Sequence, residues 1–150
     1  MYDLDDFNAI LMNDTIMKGI RGKGHSAEAS KQRFQDALAT NRKYNNLGFF
    51  NVTKKGTDEL VGFAKLVLMD DGNLEVGYAL LEKLWGYGFA SEITATLVLH
   101  ALHHYPMKEI IGVVNVENRA SQHVLKKQQF KLKSTGILAN FEVGYYYYSK

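Results

Sequence analysis

The segment Leu81-Glu82-Lys83-Leu84-Trp85-Gly86-Tyr87-Gly88-Phe89-Ala90-Ser91-Glu92 constrains this chain most, because it joins an apolar strand pattern to an amphipathic helix through a run of small residues. Small residues at 86, 88, 90 and 91 let successive main-chain N–H groups turn toward one point at a helix N-terminus, where partial positive charge favours a phosphate. A tight strand-to-helix turn with no ligand uses the same residues, so the turn alone leaves both readings open. A Walker A loop is excluded, since no Gly-Lys-Ser/Thr is present. A Rossmann dinucleotide site fits poorly. Ser91 stands at its third glycine, strands of another kind come first, and the next strand pattern, Ile110–Val116, meets no acid until Glu117.

The flanking patterns set the fold class. Before the turn, Phe7, Ile10 and Leu11 mark a short helix near residues 3–12, and Ser26 reads as the N-cap of a second helix reaching about Tyr44, with Ala27, Phe34, Leu38 and Asn41 on its inner face. Strand patterns follow at Gly48–Thr53, Leu60–Met69 and Leu74–Leu81, joined by short turn-rich connectors as antiparallel hairpins require. After the turn, Ser91–Tyr105 is helical, Ile110–Val116 a buried strand and Arg119–Gln128 a helix, and Phe130–Ser134 and Phe141–Ser149 read as closing strands. A strand, a helix and a further strand in that order imply a right-handed parallel crossover grafted onto a meander. The class is α+β, with a mixed sheet and about four helices.

Composition excludes several chemistries. A chain of 150 residues, 46% hydrophobic, suits a single domain over 1–150 that needs no covalent staple. There is no Cys, which removes disulfide frameworks, thiolate metal sites and cysteine nucleophiles, and fits a reducing, cytoplasmic setting. The start, Met-Tyr-Asp-Leu-Asp-Asp, is acidic where an export signal would be basic, and no apolar run approaches the ~20 residues of a membrane span. A net charge of +2 gives no electrostatic case for nucleic acid. Charge is locally uneven, however: Lys18, Arg21, Lys23, Lys31, Arg33, Arg42 and Lys43 outnumber Glu28 and Asp36, which makes either a solvated helix face or a rim that attracts an anionic ligand. His25, His100, His103, His104 and His123 form no metal-ligand or triad spacing, so no metal is expected.

Three stretches together carry a resemblance: Val76-Gly77-Tyr78-Ala79-Leu80-Leu81, Trp85-Gly86-Tyr87-Gly88-Phe89-Ala90-Ser91-Glu92, and Asn118-Arg119-Ala120-Ser121-Gln122-His123-Val124-Leu125-Lys126-Lys127-Gln128-Gln129-Phe130. In order and spacing the chain resembles the GNAT superfamily of N-acetyltransferases and, within it, the RimJ/RimL-like branch. The resemblance implies acetyl-CoA as co-substrate. It places the pyrophosphate on main-chain amides of Trp85, Gly86, Tyr87, Gly88, Phe89, Ala90 and Ser91, and the pantetheine beside the exposed backbone of Ala79, Leu80 and Leu81 in the manner of an added strand. It also sets Asn118 facing the cofactor and Ser121 near the sulfur as the proton donor to the thiolate, since Leu125 occupies the place where many relatives carry a Tyr acid. Asn118 equally suits a plain N-cap. Glu75 is the carboxylate best placed as general base, and equally suits the solvent side of a strand.

The acceptor implied is a primary amine, either a peptide or protein N-terminus or a small molecule, entering between the helical first half and Phe141–Tyr148. With no Cys and no Ser-His-acid set, direct attack on the thioester is expected. A non-catalytic CoA-binding or regulatory domain of the same fold is the alternative. Two departures from the family bear on it: Gln129 replaces the usual Gly before Phe130, and no strand pattern precedes the first helix. The sheet edge so left is expected to be bare, capped by its own chain, or paired with another subunit in a homodimer.

Overall fold

The computed structural model describes residues 3–150. Its helices are α1 (Leu4–Leu11), α2 (Asp14–Arg21), α3 (Ala27–Lys43), α4 (Phe89–His104) and α5 (Arg119–Lys127), and its strands are β1 (Gly48–Thr53), β2 (Leu60–Leu68), β3 (Leu74–Leu80), β4 (Ile110–Asn115), β5 (Phe130–Leu138) and β6 (Phe141–Tyr148). They form one sheet in the order β1-β2-β3-β4-β6-β5, antiparallel at every junction except the parallel β3–β4 pair that α4 connects. The α+β class, the meander and the crossover are as the sequence implies. Of the strand expected to be missing before α1, Met1 and Tyr2 lie outside the described residues. Among the described residues β1 forms an outer edge.

Each face of the sheet buries a separate apolar cluster. On one face Leu66, Leu74, Val76 and Phe130 pack with Leu97 and Ala101 of α4 and Leu125 of α5. Beneath α1 and α3 lie Phe7, Ile10, Ala37 and Phe63, with the Phe7 ring 5.0 Å from that of Phe63 and 5.4 Å from that of Phe34. Strand alternation sorts β3 between the two: even-numbered side chains point to the α4/α5 face and odd-numbered ones to the α1/α3 face.

Three expectations need correction. Among the described residues there are five α-helices where about four are expected, because α2 is only eight residues long and carries Gly19 in its interior. Its punctuation was nonetheless present: Asn13 caps it through the Ile16 N–H, and Gly22 ends it at φ 90°. The inner face of α3 centres on Ser30 and Ala37, with Phe34 and Asn41 half-buried beside them, while Ala27 is exposed. Small residues face inward because α1 packs closely there, and the Ser30 hydroxyl donates to Asn8 Oδ1 at 2.6 Å. Strand β5 runs four residues past Ser134, since Ala139 and Asn140, at φ 50° and 68°, close a tight hairpin that carries no Asn-Gly signature.

Asn41 joins α3 to the sheet. Its Nδ2 donates to the Phe49 carbonyl at 3.0 Å and its Oδ1 accepts from the Phe49 N–H at 2.8 Å, so one amide completes both main-chain groups of an edge-strand residue. Replacing Asn41 with Ala strands both groups, at about 2–3 kcal/mol for a part-buried site. For a chain of this size that lowers Tm by roughly 4–12 °C, measured by thermal denaturation. A shift below 1 °C would show that water substitutes freely for the amide.

Candidate active site

The sheet opens at its centre. Strands β3 and β4 pair only at Leu74↔Ile110, Glu75↔Ile111 and Val76↔Gly112, although β3 continues to Leu80 and β4 to Asn115. Beyond Val76 the two strands part. The Leu74 N–H donates to Glu109 O on the β4 side at 3.0 Å, and the Leu81 N–H donates to Val61 O on the β2 side at 2.9 Å. Alternation along the strand then aims the main-chain groups of Tyr78 and Leu80 into the gap and those of Gly77, Ala79 and Leu81 at β2. Of Ala79, Leu80 and Leu81, expected to offer backbone to a ligand, only Leu80 faces the opening, and Tyr78 joins it. The Leu80 carbonyl already accepts from Trp85 Nε1 at 3.1 Å.

The glycine-rich turn lies directly after this strand. A 3₁₀ turn at Glu82–Leu84 uses the Trp85 amide, which donates to Glu82 O at 3.1 Å. Trp85 is therefore a brace between the turn and Leu80, not one of the expected amide donors. Gly86 and Gly88 follow at φ 82° and 85°, a left-handed conformation that favours glycine, and Gly88 opens α4. Helices α1, α2, α3 and α5 begin with capping side chains from Asp3, Asn13, Ser26 and Asn118, whereas α4 has none. Its first helical bond runs from the Glu92 N–H to Gly88 O at 3.2 Å, so among the described residues the N–H groups from Gly86 to Ser91 have no acceptor. Nothing lies within 4 Å of the Cβ that either glycine lacks. An anion could approach these amides closely.

At the other end of the gap stand the polar side chains. Tyr78 projects from β3 on the α4/α5 face, and its hydroxyl donates to Ser121 Oγ at 3.2 Å. Burial raises the Tyr78 pKa, and the Ser121 hydrogen bond offsets part of that rise, so the phenol keeps its proton through neutral pH. In the sequence Tyr78 stands out only as part of the Val76–Leu81 strand pattern. The available signal was its phenol on an apolar face, which needs a buried partner. Asn118 caps α5 by accepting from the Ser121 N–H at 3.1 Å, and its Nδ2 donates to Gly19 O on α2 at 3.2 Å. One side chain thus fixes Ser121 and ties α5 to a helix from the other face.

Glu75 lies on the α1/α3 face, where its carboxylate accepts from Lys65 Nζ at 2.7 Å. Because the sheet is open, one cavity of about 470 Å³ touches both faces and is lined by Glu75, Tyr78, Asn118 and Ser121, with Leu138 and Phe141 from the β5–β6 hairpin. His25, Arg21 and Arg33 line it on the helical side, and the His25 pKa is lowered by burial and then by the two guanidinium charges. A second cavity of about 530 Å³ between β1 and α4 touches Phe89 alone of the expected site residues. Among the described residues no group of three or more His, Asp or Glu side chains is placed to hold a metal ion.

A model of the acetyltransferase (GNAT) domain family matches residues 1–131. The chain belongs to the GNAT acetyltransferases. Among curated relatives, an uncharacterised N-acetyltransferase p20 of Bacillus licheniformis is 32% identical over 95 residues, covering 62% of this chain and 52% of that protein. The chain thus spans about half the length of the curated relative it matches. Solved structures of this fold include a spermidine N-acetyltransferase of Vibrio cholerae in complex with CoA and spermine, at TM-score 0.77 and 18% identity, covering 97% of this chain and 88% of that one. They also include the ribosomal L7/L12 alpha-N-protein acetyltransferase RimL in complex with coenzyme A, at TM-score 0.77 and 17% identity, covering 97% and 89%.

Because Asn118 supplies both an acceptor to α5 and a donor to α2, its two roles can be separated in this GNAT chain. Asn118→Asp keeps the cap and loses the bond to Gly19, whereas Asn118→Ala loses both, for a difference of about 1 kcal/mol in unfolding free energy. Denaturant titrations in which the two variants are equally stable would remove the cap from the account.

Proposed function

We propose that residues 1–150 act as one acetyl-CoA-dependent N-acetyltransferase domain of RimJ/RimL-like type, working in the cytoplasm and transferring acetyl directly to a primary amine, with a peptide or protein N-terminus as the favoured acceptor. The observation that carries this reading is the uncapped, left-handed start of α4 beside a sheet gap whose far end holds Tyr78 and Ser121. Acetyl-CoA, a substrate rather than a resident cofactor, supplies an acyl group already activated as a thioester. The free amides from Gly86 to Ser91 fit its pyrophosphate, and the Tyr78 and Leu80 main-chain groups aimed into the gap fit its amide-bearing arm and thioester carbonyl.

The protein's own groups then handle protons. In the transfer a C–N bond forms, the C–S bond breaks, one proton leaves the amine and one reaches the sulfur. Ser121, held by Asn118 and backed by the Tyr78 phenol, is the proton source for the thiolate. Tyr78, protonated at the start of each turnover because burial raises its pKa, passes its proton to Ser121 and regains one from solvent, to which Glu75 returns the amine proton. Glu75, steadied by Lys65, receives the proton of the amine directly or through water. An α-amine of pKa ~7.7–8 has roughly one molecule in ten neutral at pH 7, against about one in 2,500 for a lysine of pKa ~10.4, which supports an N-terminal acceptor when the assigned base is an ion-paired carboxylate.

The alternative of a CoA-binding domain without turnover rested partly on Gln129. It does adopt the left-handed conformation, at φ 69°, but it sits between α5 and β5, where its carbonyl accepts from the Ser149 N–H at 2.9 Å, and it does not line the cavity. Thiol release from acetyl-CoA, followed with a panel of amines and N-terminal peptides, separates the readings. Turnover is expected, with Ser121→Ala lowering kcat roughly 100-fold and Tyr78→Phe about tenfold while the KM for acetyl-CoA stays within twofold. CoA binding with no turnover on any acceptor would favour the regulatory domain, and an unchanged kcat in Ser121→Ala would reduce Ser121 to a structural role.

A further inference from the structure

The α1/α3 side of the central cavity carries more positive charge than its structural partners neutralise. Its charged lining is Arg21 at the end of α2, Arg33 and Asp36 on α3, and Lys65 and Glu75 on the sheet, with His25 in the α2–α3 connection. Lys65 and Glu75 neutralise each other at 2.7 Å. Among the described residues neither Arg21 nor Arg33 has a carboxylate within 4.0 Å, and Asp36 takes its hydrogen bond from the Gln32 amide at 3.0 Å instead. Two guanidinium charges therefore face one uncompensated carboxylate. Both act on His25, whose pKa they help depress, so that imidazole is mostly neutral at pH 7 and adds little charge of its own.

The two arginines differ in how they are held. Arg21 Nη1 donates to Lys23 O at 3.0 Å and Gly24 O at 3.1 Å, which fixes its guanidinium across the loop without discharging it. Its place in the last turn of α2 also suits the helix dipole, so Arg21 alone would need no ligand. Arg33 has no such reason to be there, since it lies within α3, away from either end, on the stretch that turns Asp36, Ala37 and Thr40 to the same cavity. A planar guanidinium with free donors in a concave site matches a carboxylate in shape and charge.

Resting on the acetyltransferase reading above, we infer that the acceptor carries a carboxylate or equivalent anion near its amine, received by Arg33 and Arg21 while the amine lies at the gap beside Glu75. The chemistry fits an N-terminal peptide with an acidic residue next to its first, or a free amino acid. It opposes a polyamine, whose second ammonium would meet the two guanidinium groups.

The test compares peptides that differ only at their second residue, Asp, Asn or Lys, together with a free amino acid, the same amino acid as its amide, and spermidine, at saturating acetyl-CoA. The Asp peptide is expected to exceed the Lys peptide at least tenfold in kcat/KM, with the margin shrinking as salt rises. Arg33→Gln, a change at an exposed position on α3, should cut kcat/KM for the Asp peptide about tenfold and erase the ranking, while Lys131→Gln on β5 leaves the ranking intact. A free amino acid that outruns both its amide and the Asp peptide identifies a small acceptor as the source of the anion. Equal use of the three peptides, a preference for spermidine, or a ranking that survives Arg33→Gln overturns the inference and leaves the acetyltransferase reading standing. No thiol release with any acceptor counts against that reading instead. Calorimetric binding of the peptides to the CoA-loaded protein then still decides the inference, which fails if the Asp and Lys peptides bind alike.

Discussion

The rest of the structure depends on the parting of β3 from β4 after the Val76↔Gly112 pair. A parallel ladder that stops while both strands continue leaves main-chain groups without partners at the centre of a sheet, an arrangement that ordinary folding removes. Here each strand end is anchored elsewhere. Strand β3 stays on β2 and is braced by the Trp85 indole on Leu80, whereas the end of β4 is held from α5, where Gln122 Nε2 donates to Val116 O at 2.6 Å. Asn118 extends that anchor to α2. The gap persists because β3 stays paired with β2 while β4 stays paired with β6.

Function follows from what the gap joins. On the α4 side it leads to the amides of an uncapped helix, and on the α1/α3 side to a cavity rimmed by Arg21 and Arg33. On the proposed reading an acyl donor and an acceptor amine reach one point from opposite faces, and proximity would then supply most of the acceleration that direct transfer needs. On the proposed mechanism the side chains at the meeting point have modest tasks: Ser121 and Tyr78 pass a proton, and Glu75 takes one. On the same proposal the main chain does the binding, which would explain why the residues of the glycine-rich turn are apolar or small yet still chemically informative.

Much of this was legible in the sequence. The meander, the crossover, the Ser26 and Asn118 caps and the Gly86–Gly88 turn rest on local signals, namely period-two alternation, capping residues and positive-φ glycines, and local signals are printed in consecutive residues. What stayed hidden was non-local. The fixed direction of each β3 main-chain group depends on which neighbour the strand keeps, so the roles of Ala79, Leu80 and Leu81 could not be told apart before the register was known. The capture of the Trp85 amide by a 3₁₀ turn, the Tyr78–Ser121 bond across 43 positions and the Asn118 link to Gly19 across 99 are contacts of the same kind. Helix α2 stayed hidden for another reason: eight residues interrupted by Gly19 make too short a pattern to stand out.

The most direct measurement is an amide ¹H–¹⁵N titration of the protein with CoA. The largest shifts should fall on Gly86 through Ser91 and on Tyr78 and Leu80, with Phe50 and Val52 beside the other cavity unmoved. Shifts confined to the β1–α4 cavity, or none at the α4 N-terminus at saturating CoA, would contradict the assignment of the gap as the acyl-donor site.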